Sequence, residues 1–181
     1  MRAAKKGRVL NHMVVRAAPR DQSRGQLIAG GRVIACALGK GGIKAVKREG
    51  DGATPLGAMR LLSVYVRRDR RRPLVSTLPL VPIRSNDGWC DAPSDRNYNR
   101  PVPLPYKASH ETMNRPDHLY DVVIVLDANI RPRRRGMGSA IFFHLARPGF
   151  APTEGCVAVS ARDMAWLLPK LSRRTVLTVI R

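Results

Sequence analysis

Residues 140–160 read AIFFHLARPGFAPTEGCVAVS. The apolar runs 140–145 and 157–159 are too short for ordinary helices and read as short buried strands. Between them, Arg147-Pro148-Gly149 interrupts regular structure. After them, Ser160 offers a helix cap with Asp163 three residues on, an approximate capping box. Met164, Leu167, Leu168 and Leu171 then fall at helical spacing, with Pro169 ending or kinking the segment.

The short-strand pattern extends in both directions. Segments 26–29 and 32–38 flank Gly30-Gly31, the signal of a tight two-residue hairpin. Segment 59–66 is rich in Leu, Val and Tyr. Segment 120–126 is a continuous apolar run behind Asp121, as expected of a strand buried on both faces. Segment 175–180 alternates well enough to complete the sheet, and a weaker helical stretch is expected over 107–115. The prediction is a mainly β fold, a sandwich or curled sheet with one or two short peripheral helices. Neither an internal repeat nor a linker divides it, so 9–181 is expected to be one domain behind a basic tail, 1–8.

The 181 residues are 44% hydrophobic and 25% charged, enough apolar material for a globular core. Thirty-three Lys and Arg against 13 Asp and Glu leave a net charge of +20, which calls for an anionic partner or substrate. The cations come in runs: Arg67, Arg68, Arg70, Arg71 and Arg72; Arg131, Arg133, Arg134 and Arg135; Arg173 and Arg174. With aromatics at 5% and the longer runs beside Pro73 and Pro132, no nucleic-acid motif emerges. The runs read either as solvated loop charge or as steering for an anionic polymer. No apolar run approaches the ~20 residues that cross a bilayer. Residues 1–15 are basic but interrupted by Asn11 and His12, with no small-residue cleavage site, so no secretory signal is expected.

Cys36, Cys90 and Cys156 share no CxxC spacing, and with four histidines they suggest neither a disulfide scaffold nor a structural zinc site. Cys36 sits in an apolar strand and Cys90 has acidic neighbours, so both read as structural. Cys156 differs. It follows Thr153-Glu154-Gly155 where a loop enters a strand, and the glycine lets backbone approach a substrate closely. His144, at the end of an apolar strand twelve residues upstream, can meet it in space. Imidazole beside thiol is the pairing that makes cysteine a nucleophile.

His144, a loop, then Thr153-x-Gly155-Cys156 resembles the signature of the L,D-transpeptidase (YkuD-like) catalytic domain, which is written His, spacer, Ser/Thr-His-Gly-Cys. A second block, Arg48-Glu49-Gly50-Asp51-Gly52-Ala53-Thr54-Pro55-Leu56-Gly57, resembles that family's Gly-Asp-x-x-Thr-Pro-x-Gly segment. Gly88-Trp89-Cys90-Asp91 and Tyr98-Asn99-Arg100-Pro101 are similar to the middle of single-domain bacterial members.

The resemblance implies the mixed β-sheet of that domain type and a cysteine acyltransferase acting on peptidoglycan stem peptides without metal or cofactor. It implies Cys156 as nucleophile, His144 as base, and the N–H groups of Gly155 and Cys156 as oxyanion hole. It also implies acylation by carbapenems and action in the cell envelope or periplasm. Thr153, Glu154, Arg147, Tyr98, Asn99, His118 and Tyr120 are candidates for lining the substrate cleft. Tyr98, Asn99, His118 and Tyr120 read equally as structural hydrogen bonders, and the Gly50–Gly57 glycines, Asp51, Thr54 and Pro55 read first as turn chemistry.

Two positions depart from the pattern. Glu154 stands where the family has His, and Ala158 where an Arg is common. A carboxylate gained and a cation lost should disfavour the thiolate, with Arg147 or Arg162 as candidates to compensate. A hydrolase using the same pair, giving an L,D-carboxypeptidase or amidohydrolase, is the first alternative. A basic nucleic-acid-binding module is the alternative of another class.

Overall fold

A computed structural model describes residues 9–70 and 74–181. The expected basic tail and Arg71 and Arg72 lie outside the described residues. Among the described residues fourteen strands and one α-helix follow in chain order: β1 His12–Ala18, β2 Asp21–Ala29, β3 Arg32–Ala37, β4 Ile43–Lys44, β5 Thr54–Pro55, β6 Gly57–Val66, β7 Leu80–Pro82, β8 Asp87–Cys90, β9 Arg100–Pro103, β10 His110–Thr112, β11 Val122–Leu126, β12 Phe142–Leu145, β13 Val157–Val159, α1 Ala161–Leu167 and β14 Val176–Ile180.

The main sheet runs β11-β12-β13-β3-β2-β1-β14-β6-β7, and β11 also pairs with β6. The sheet therefore curls until it meets itself. Most pairs are antiparallel, but β1–β14, β12–β13 and β6–β7 are parallel, so the sheet is mixed as expected. The β2–β3 hairpin turns at Gly30-Gly31 with φ of +54° and +77°, the backbone of a type I′ turn that L-residues with side chains resist.

The inside of the curl holds one core, with Met13, Leu27, Leu61, Ile124, Phe143 and Leu177 among its members. Helix α1 joins it through Met164 and Leu167. Ser160 caps this helix, accepting from the Asp163 N–H at 3.1 Å, and Pro169 falls in the 3-10 turn Leu168–Lys170 that ends it.

A second core lies on the outer face of β11 and β12, where Val123, Val125 and Phe142 meet Trp89, Met113 and Tyr120. Its cover is the small sheet β10-β8-β9. Strand β11 is consequently buried along its whole length, which is why its sequence is uninterrupted apolar.

The helix expected over 107–115 is not present. His110, Glu111 and Thr112 instead form β10, in register with Cys90, Trp89 and Gly88. The segment lacks an apolar stripe at helical spacing, whereas pairing with β8 satisfies its backbone and covers the second core.

The first arginine run is also not simply solvated. Buried Arg67 donates to both carboxylate oxygens of Asp69 and to the Arg115 carbonyl, while Arg70 reaches Asp121 at 3.3 Å. These contacts pin the chain entering β11.

Replacing Phe143, which is fully buried inside the curl, with Ala should lower unfolding free energy by about 3–5 kcal/mol in urea titration. Val33→Ala, at a site 64% exposed on β3, should change it by less than about 0.5 kcal/mol. Equal losses would contradict this assignment of the core.

Candidate active site

Side chains two apart on a strand share a face, so β12 presents Phe142 and His144 together on its outer side. Strand β13 runs parallel to β12 with Ala158 beside His144, which brings Cys156 level with Phe142. The Phe142 N–H donates to Cys156 Sγ at 3.3 Å, and the thiol donates to the Ala140 carbonyl at 3.2 Å. Cys156 and His144 are both nearly buried, 7% and 5% exposed, and both line one cavity of about 530 Å³.

His144 Nδ1 lies 2.8 Å from the carbonyl oxygen of Leu145. A carbonyl can only accept, so Nδ1 carries the hydrogen and Nε2 is left with its lone pair. The imidazole is thereby held in the tautomer of a base by the backbone of its own strand.

The turn before the thiol is clamped by Thr153. Its hydroxyl accepts from the Gly155 N–H at 3.2 Å and donates to the Cys156 carbonyl at 2.7 Å. The Gly155 N–H, expected in the oxyanion hole, is thus directed at Thr153 Oγ1. Gly155 has φ of +127°, and a Cβ there would lie 2.7 Å from the Ala53 carbonyl. The Gly50–Gly57 block therefore supports the thiol turn directly. Within that block Asp51 accepts from the N–H groups of Arg48 and Ala53 and from Lys47. Burial opposes its charge, but these bonds prevail and hold the carboxyl below its ordinary range.

Burial dominates the electrostatics. It pushes the Cys156 thiol up to about 12, with the Glu111 carboxylate adding to it and the Phe142 N–H and Lys47 opposing. It pushes His144 down to about 4, against the bond to Leu145 and assisted by Arg115 and Arg147. At neutral pH the resting state is a thiol and a neutral imidazole lining the same cavity. Glu154 contributes less to the thiol than Glu111 does, and its exposed side chain turns to Lys40 Nζ at 2.9 Å. The cation that opposes the rise is Lys47, buried and bonded to Asp51 and the Arg48 carbonyl.

Of the other cleft candidates, Thr153, Glu154, Arg147 and Tyr120 line the cavity. Tyr98, Asn99 and His118 do not. The Tyr98 hydroxyl donates to Glu49, which also accepts from Ser139. Asn99 is buried, and its Oδ1 accepts from Trp89 Nε1 at 2.9 Å and from the Ala140 N–H at 3.0 Å. Asn99 therefore fixes the residue whose carbonyl meets the thiol, a positioning role. The His118 side chain is 78% exposed and turned to Asp121. Sequence reasoning missed Lys47, Glu111 and Arg115 on the cavity wall. Lys47 stands next to the quoted Arg48–Gly57 block; Glu111 and Arg115 lie in the segment read as a helix and gave no such signal.

Comparison with family models matches residues 13–180 to the L,D-transpeptidase catalytic domain. No curated protein matches. Among solved structures, L,D-transpeptidase 1 of Mycobacterium tuberculosis is similar at 13% identity and a TM-score of 0.40, over 94% of this chain and 62% of that one.

The resting protonation state sets a pH dependence. Iodoacetamide attacks the thiolate, so its rate at Cys156, read by peptide mass, should climb about tenfold per pH unit from 6 to 9. A plateau beginning below pH 8 would instead mean a preformed thiolate–imidazolium pair.

Proposed function

The chain belongs to the L,D-transpeptidase catalytic domain family, and on that premise we propose that it is a cysteine acyltransferase of peptidoglycan stem peptides. Cys156 is the nucleophile and His144 the base, in a catalytic domain spanning 9–181. The observation that carries this reading is the shared cavity: a buried thiol and an imidazole whose Nε2 is kept free of hydrogen by the Leu145 carbonyl.

In the first half-reaction the Cys156 proton passes to His144 Nε2 as sulfur attacks the donor carbonyl. Because burial keeps the proton on sulfur at rest, the transfer accompanies the attack and does not precede it. The Cys156 N–H is assigned to the developing oxyanion, where one donor is worth about 3 kcal/mol. Collapse expels the terminal residue as an amine, which takes the proton from His144 and leaves a thioester. An amine of a neighbouring stem then attacks that thioester, forming the cross-link and restoring the thiol.

Stem peptides carry carboxylates, and Arg115 and Arg147 on the cavity wall suit them. The net charge of +20 suits an anionic polymer at longer range. That substrate puts the site of action in the cell envelope. Among the described residues no helix is long and apolar enough to cross a membrane.

Incubated with a disaccharide-tetrapeptide, the chain should yield cross-linked dimers by mass; trimmed monomers alone would mean hydrolysis. Cys156→Ala and His144→Ala should each lower the rate by at least about 1,000-fold. A carbapenem adduct should map to Cys156, and one on Cys36 or Cys90 would overturn the assignment. Raising salt from 0.05 to 0.5 M should slow the reaction on wall fragments about tenfold, since screening shortens the reach of the positive field. A rate indifferent to salt would remove the steering role.

A further inference from the structure

Glu111 has no part in the chemistry above, yet it shares the cavity with Cys156 and His144. Strand β10 carries it, opposite Trp89 of β8. Its Oε2 accepts from the Tyr120 hydroxyl at 2.5 Å, and the Tyr120 ring stands edge-on to His144 with centroids 5.3 Å apart. Glu111, Tyr120 and His144 thus form one contiguous wall.

That carboxylate handicaps the thiol, because after burial it is the largest influence holding the Cys156 proton on sulfur. Among the described residues no Lys or Arg forms an ion pair with it within 4 Å, and Arg115 on the same wall acts on it from farther away. Nearby Asp91 adds a buried Oδ1 without a hydrogen-bond partner, on the same cavity wall. Two carboxylates on one cavity wall, neither in an ion pair within 4 Å among the described residues, leave a place for a further cation to approach.

The acylated enzyme needs such a visitor. An aliphatic amine reaches neutral water as an ammonium ion, whose nitrogen has no lone pair until one proton leaves. His144 Nε2 has one lone pair, which the proton bound for the sulfur occupies, so the first proton needs another acceptor.

Resting on the acyltransferase reading above, we propose that Glu111 receives the acceptor as an alkylammonium ion and removes its first proton. The step balances as follows. R–NH3+ gives one proton to the Glu111 carboxylate. The freed lone pair forms the C–N bond at the thioester carbonyl. The second proton passes to His144 Nε2 and on to Cys156 Sγ as the C–S bond breaks. Glu111 then returns its proton to water. Burial raises the Glu111 carboxyl, against the bond from Tyr120, and so improves it as a base; Asp91 and Glu49 add to the rise and Arg115 opposes it.

The test uses a choice of acceptor. The full chain, with disaccharide-tetrapeptide as donor, is offered ethylamine, protonated at pH 7 like a lysine side chain, or hydroxylamine, which is neutral there. In Glu111→Gln the ratio of ethylamide to hydroxamate product should fall about 100-fold relative to wild type. Tyr120→Phe keeps the ring and removes the bond to Glu111; its ratio should shift at least about threefold, and it serves if the Gln variant does not fold. Ratios unchanged in both variants overturn the proposal, because a structural role affects both amines alike. A wild-type chain that uses hydroxylamine but not ethylamine overturns it too. Products that persist in Cys156→Ala would instead sink the thioester reading itself.

Discussion

The site depends on a place where backbone touches backbone. A side-chain carbon at Gly155 would lie 2.7 Å from the Ala53 carbonyl, and one at Gly39 would lie 2.2 Å from the Gly52 carbonyl and 2.9 Å from Gly155 Cα. Three chain segments therefore converge with no layer of side chains between them. The ends of β3 and β13, the Gly50–Gly57 loop and the thiol turn are held at a fixed spacing by this contact. Thr54 closes it by accepting from the Gly39 N–H at 2.9 Å, and Thr153 repeats the device beside the sulfur.

Polar side chains extend that rigidity across the cavity. Asn99 holds Trp89 with one bond and the Ala140 N–H with another, and Ala140 has φ of +51°, a conformation L-residues resist. The carbonyl offered to the thiol thus sits on a backbone kept in place by a neighbour. Glu49 ties the Gly50–Gly57 loop to the β8–β9 connection through Tyr98 and to the chain before β12 through Ser139. Buried groups with complete hydrogen bonding specify one geometry, which the nucleophile proposed at Cys156 needs.

Much of the sheet is legible in the sequence because its strands are bounded by punctuation. Gly30-Gly31 announces the hairpin, and the uninterrupted apolar run of β11 reports two covered faces. Ser160 and Asp163 announce α1 as plainly. Segment 107–115 fails because three residues of edge strand carry too little periodicity to be told from a weak helix, and only β8 decides the matter. At the candidate site, the meeting of Cys156 and His144 in one cavity is legible from residue type and spacing. Lys47 and Glu111 act on the sulfur through space, from segments 109 and 45 residues away (156 − 47 and 156 − 111), and no local pattern encodes that. Arg67 and Asp121 show the same limit, since charge in a loop reads as solvated until its counter-ion is located.

Strand β1 lies between β2, its immediate successor, and β14, whose register begins at Val176 opposite His12. The two partners of one strand are thus separated by most of the polypeptide. On the ribosome, β1, β2 and β3 can zip together early, but one flank of β1 keeps its amides unsatisfied until Val176–Ile180 has emerged. Nascent chains spend that interval with a sticky border exposed, so the curl closes only once β14 is available, and the interval is where misassociation is most dangerous.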